Sequence, residues 1–126
     1  MRKILPSLAL VLLLVGCTSL YQSVLTITSV VDQAMKNWAA LSVAGKTSPA
    51  VDAKVKAAHE VYRQAAGVTQ QALVAYKASG DQTQYVAALN AAKAAAQGVI
   101  DLIVPLLEPA VGTQLLNNLA NAKTLQ

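Results

Sequence analysis

The sequence holds one cysteine, Cys17, and one histidine, His59, so the reactive side chains are few from the start. A single cysteine excludes an intramolecular disulfide and a thiolate metal site. His59 opens His59-Glu60-Val61-Tyr62-Arg63, which has arginine where a zinc-binding HExxH helix needs its second histidine. A solvated helix face is therefore expected for His59, because a metal or catalytic site needs partners that this spacing does not supply. The acids Asp32, Asp52, Glu60, Asp81, Asp101 and Glu108 stand singly, which suits helix caps and solvated faces. No glycine-rich phosphate loop, paired-carboxylate motif or nucleophile elbow is present. The expectation is a protein that is not an enzyme and binds no metal or cofactor.

Cys17 has a specific setting. Met1-Arg2-Lys3 is a short basic start, Ile4 to Val15 is apolar, and the chain turns polar at Thr18-Ser19. That pattern has the form of an export signal, and its apolar run falls below the ~20 residues that span a bilayer as a helix. Leu14-Val15-Gly16-Cys17 then resembles the lipobox of bacterial lipoproteins, a resemblance confined to the first seventeen residues. It implies that the Cys17 thiol receives a diacylglyceryl group, that a peptidase cuts between Gly16 and Cys17, and that the new amine can be N-acylated. Two or three acyl chains, at ~0.8 kcal/mol per buried methylene, make a lasting membrane anchor. Thr18 is not the aspartate that resembles an inner-membrane retention signal. In a host with two membranes, the periplasmic face of the outer one is expected.

Removal of residues 1–16 takes Arg2 and Lys3 from ten basic residues, leaving eight against six acids, or net +2. So small and scattered a charge excludes a nucleic-acid face. The remaining 110 or so residues suffice for one domain with a single core. Abundant alanine, no phenylalanine and few prolines mark it as all-α.

The elements follow from periodicity. Leu20, Val24, Ile27, Val31, Met35 and Trp38 recur at helical spacing, which predicts a first helix from about Leu20 to Ala44, stopped at Gly45. The β-branched run Ser23 to Val31 alone also fits a strand, but no partner strand appears. Ser48-Pro49 predicts a capped start for a second helix, with Asp52 in its first turn and Gly80 as its end. Gly67 inside it reads as tolerated rather than as a close-packing site. Asp81-Gln82-Thr83-Gln84 has capping-box spacing before a third helix, whose stripe is Tyr85, Leu89, Ala92, Ala96, Val99, Ile103 and Leu106. Pro105 predicts a kink or end there.

The second and third helices must pair antiparallel across so short a turn. Positions whose numbers total 161 then face each other: Tyr76 with Tyr85, Thr69 with Ala92, Ala65 with Ala96, Tyr62 with Val99. Their spacing is close to the 3.5-residue repeat of a coiled coil. The alanine layers require close helix approach or a third element, and the first helix supplies Val24 and Ile27 at that level. The architecture expected is an antiparallel three-helix bundle at 20–108, preceded by a signal peptide at 1–16 and a lipidated tether at 17–19. A short helix or tail follows at 109–126.

Pairing Trp38 with Val55 brings the Cys17 end of the first helix to the tip of the hairpin. Tyr21, Tyr76, Lys77 and Tyr85 are the candidate membrane-proximal residues, with direct stacking of Tyr76 on Tyr85 as the alternative. Leu115, Leu116 and Leu119 in the tail are too apolar for a free end, so they dock on the bundle, on another copy or on a partner. The function expected is a membrane-anchored structural or interaction module of the envelope, acting through an envelope protein or self-association. A phage- or prophage-encoded inhibitor or exclusion lipoprotein is the alternative. In size and texture the chain loosely resembles small uncharacterised lipoproteins of bacterial and prophage genomes.

Overall fold

A computed structural model describes residues 4–124, with side-chain surroundings from Gln22 onward. It holds four helices: α1 (Ile4–Val43), α2 (Pro49–Ser79), α3 (Thr83–Ile103) and α4 (Pro109–Lys123). A 3₁₀ turn, Val104–Leu106, joins α3 to α4. Among the described residues there is no strand, so the β-branched stretch after Gln22 is helical. The all-α class and the bundle are as the periodicity predicts.

The helix ends have local causes. Gly45 takes φ +72°, and Lys46 N–H closes on Leu41 O at 2.9 Å, a left-handed stop that only glycine adopts without strain. Ser48 Oγ accepts the Val51 N–H at 3.2 Å while Pro49 opens α2, as predicted. Gly80 ends α2 at φ +77°, its N–H on Tyr76 O at 2.7 Å. The capping box before α3 does not form. Gln82 is already in the helical region, so the Asp81 carboxylate reaches only two residues ahead and accepts the Thr83 N–H at 2.9 Å. That hydrogen bond, with a second from the Thr83 side chain, holds the Asp81 carboxyl below its ordinary value. At Pro105 the α-helix gives way to the 3₁₀ turn.

Packing follows the predicted stripes. Val24, Ile27, Val31, Val55, Val99 and Ile103 are almost wholly buried, as are the small Ala92 and Ala96. Ala65, expected to face Ala96 inside the seam, packs against the core but is only half-buried. Ile100, one position off the stripe, is fully buried as well. The hairpin itself closes tightly: Tyr76 and Tyr85 meet with ring centroids 5.9 Å apart, tilted by 53°. Next to that contact the Thr69 hydroxyl bridges the two helices.

α1 runs antiparallel to α2, within a turn of the expected register. Thr28 Oγ1 lies 2.6 Å from Tyr62 OH, and Trp38 Nε1 donates to Asp52 Oδ1 at 2.8 Å. Its more extensive contacts are with α3 and α4. α4 turns back along α1, starting at the level of Asn37 and Leu41 and ending at that of Thr26 and Val30. It clears the 3₁₀ turn at Gly112, where a β-carbon would come within 3.1 Å of Val104 Cγ1. At its far end Lys123 Nζ donates to Gln97 Oε1, and Gln97 Nε2 donates to Asp101 Oδ1 at 2.7 Å. The C-terminal segment is thus a fourth helix within the bundle.

Candidate functional site

The end of the bundle nearest Cys17 is formed by α1 around Ser23 and by the α2–α3 tip. Tyr85 is 3% exposed, and its phenol lies near the buried Ser23 hydroxyl, which makes no hydrogen bond of ordinary geometry among the described residues. Burial pushes the Tyr85 phenol above its ordinary pKa, the nearby Ser23 hydroxyl opposes this, and the neighbouring Tyr76 adds to it. Tyr76 is half-buried and Lys77 exposed. Of the four candidate membrane-proximal residues, Tyr85 is therefore occupied inside the bundle, in the stacking arrangement with Tyr76. An edge of Tyr76 and the Lys77 ammonium remain at the surface, and Tyr21, like Gly16 and Cys17, lies outside the described side chains. A groove of about 280 Å³ beside the tip is walled by Tyr85, Val86, Leu89 and Lys93.

The opposite end is closed by a polar knot. Asp52 accepts from Trp38 Nε1, from Ser42 Oγ at 3.1 Å and from Thr47 Oγ1 at 2.7 Å. The Thr47 hydrogen bond is the main cause of its lowered pKa, partial burial opposes it, and Trp38, Ser42 and the Lys56 charge add to the lowering. Trp38 and Ser42 donate from the end of α1 and Thr47 from the α1–α2 connection, so this carboxylate clasps the corner between the two helices. Trp38 is 8% exposed and serves the core, as its place on the α1 stripe predicts. His59 is half-buried, and the adjacent Glu60 pairs with Arg63 at 3.6 Å on an exposed face. Among the described residues no group of three or more histidine, cysteine or carboxylate side chains could hold a metal ion.

The tail leucines separate into two kinds. Leu115 and Leu119 are 2% and 1% exposed, docked inside the bundle, which removes them from a partner-binding surface. Leu116 is 39% exposed and keeps that possibility.

Sequence reasoning passed over a different surface. One face of α2 carries the exposed Val61, Val68 and Ala75, flanked by Ala58, Ala65 and Ala72, which are half-buried at the edge of the core, with no charge among them. Beside it, α3 presents Gln84, Ala88, Ala91, Ala95, Gly98 and Leu102. Val61 and Val68 are 58% and 56% exposed. Between the two helices near the tip runs an open groove of about 450 Å³, floored by Ala72 and Ala88. The signal for this face was a second apolar repeat on both helices, lying beside the core stripe. Compared with known proteins, the chain matches no family model, no curated protein and no solved structure.

Proposed function

We propose that this chain is a small lipoprotein of the bacterial envelope, anchored through acyl chains on Cys17, whose helical bundle acts as a non-enzymatic interaction module facing the periplasm. The observation that carries this reading is Leu14-Val15-Gly16-Cys17 at the end of a short apolar run with a basic start. In support, the first described side chains of α1 lie beside the α2–α3 tip, so the anchored end and the tip share one end of the bundle. Lys77 there is exposed and suits an anionic lipid surface. Asp52 is used in a clasp, Asp81 in a cap, and Glu60 with Arg63 in a surface pair, which favours binding over catalysis. An outer-membrane location rests on Thr18 after the cysteine.

The test is metabolic labelling with palmitate. Wild-type protein should incorporate label and be shortened by sixteen residues, whereas Cys17→Ala should stay unlabelled and at precursor length. Equal labelling of the two overturns the reading.

A further inference from the structure

We propose that the outward face of the α2–α3 hairpin is a homodimer interface, covered by the same face of a second copy across a twofold axis that runs along the bundle. The helix that supplies half of this face is unusually apolar for its degree of burial. Thr83–Leu106 is long and apolar enough by composition to cross a membrane, yet only a third of its 18-residue apolar window is buried within one copy. On the neighbouring helix, two valines stand more than half exposed in a row that has no charge.

A second copy satisfies both helices together. Rotation about an axis parallel to the bundle sets α2 of one copy against α3 of the other, antiparallel and at the level they already share within one chain. Val61 then faces Gly98, Val68 faces Ala91, and Leu102 faces Ala58. Each pair sets a larger side chain against a small one, as interdigitating layers require. The result is a four-helix seam built from two hairpins.

The area is adequate. From Ala58 to Ala75 the face runs about 26 Å at ~1.5 Å per residue, and two adjacent helices make it about 20 Å wide. Roughly 500 Å² per copy, or about 1,000 Å² for the pair, reaches the lower range of specific protein interfaces. Lipid is a poorer cover, because alanine and glycine present little apolar surface but let another helix approach closely. The pairing of faces stands on the hairpin alone, whereas the axis direction rests on the proposed anchoring, since it keeps both Cys17 ends on one membrane.

The test is cross-linking between two full-length forms, Val68→Cys and Ala91→Cys, co-expressed with different tags and treated in isolated membranes with a short bismaleimide. Wild type measures any background from Cys17. The mixed product should exceed that from Val68→Cys alone by roughly tenfold, and adding Val61→Glu to both chains should reduce it by a similar factor, because like charges would face a desolvated seam. Circular dichroism of the Val61→Glu form should match wild type, since the position is exposed in one copy. No mixed product above background overturns the dimer. A dominant Val68→Cys self-product overturns the arrangement, as does quenching of a Val68 spin label by a lipid-phase relaxant, which would make lipid the cover. Loss of palmitate labelling would refute the anchoring and leave the cross-linking result standing.

Discussion

Thr69 Oγ1 lies 3.0 Å from the carbonyl oxygen of Ala88 on the facing helix and 2.8 Å from that of Ala65 on its own. A side-chain hydroxyl reaches a neighbouring helix's backbone only where the two axes come close, and the alanines around it permit this. Thr69 is fully buried, so this layer is both small and polar, and its single proton is shared between two carbonyls. Thr69→Val keeps the shape and removes the donor. It should destabilise the fold by ~1 kcal/mol in thermal or urea unfolding, the usual net worth of one hydrogen bond.

The same closeness makes the adjacent layer intolerant of volume. Ala96 has no exposed surface, whereas Ala78 on α2 is exposed. Ala96→Leu should lower stability by ~1–3 kcal/mol through overpacking, and Ala78→Leu should stay within ~0.5 kcal/mol. Equal melting temperatures would show that the seam is not packed as described.

The clasp at Asp52 predicts an acid-side dependence. Its folded-state pKa is lowered, so its contribution is complete above the unfolded value of ~3.9 and is lost as pH falls through the lower folded value. Trp38 is the single tryptophan and donates to this carboxylate, so its fluorescence reports the clasp directly. Stability followed by that signal should decline on acidification below about pH 4, and Asp52→Asn should flatten part of that decline. The Asp81 carboxylate, lowered by Thr83, accounts for a further part.

Two glycines in α2's neighbourhood should respond with opposite sign. Gly80 sits at φ +77°, so Gly80→Ala should destabilise by ~1 kcal/mol. Gly67 is in a helix interior with nothing within 4 Å of an added β-carbon, so Gly67→Ala should stabilise by ~0.5–1 kcal/mol. Chemical denaturation of the two single variants measures both.

Along the C-terminal helix, Leu115→Ala and Leu119→Ala should each lose ~2–5 kcal/mol, the range for a buried leucine, while Leu116→Ala should stay within ~0.5 kcal/mol. Deleting residues 110–126 should lower the melting temperature sharply, because it uncovers the α1 surface at Val30 that α4 packs against.

Helical spacing alone made the α2 and α3 stripes and the Ser48, Gly45 and Gly80 boundaries legible, because each depends on residues near in the chain. What depended on distant partners was less so. Ser23 is buried though polar because Tyr85 comes over it from another helix, leaving its hydroxyl without a hydrogen bond among the described residues, and Ile100 is buried where α3 packs into the bundle. Ala65 packs against the core yet stays half-buried, since a stripe of alanines gives no cue to how deeply each one sits. The tail leucines could be read as docked on the bundle, on another copy or on a partner until α4 was seen against α1. At the candidate site, the Cys17 motif is local and readable, while the outward hairpin face needed the core face to be assigned first.

Because α4 follows α1, α2 and α3 in the chain and supplies Leu115, Leu119 and Ala122 to the interior, the three earlier helices cannot complete this core without it. During synthesis from the N-terminus this core therefore closes late, and Lys123 reaches Gln97 only after α4 has emerged.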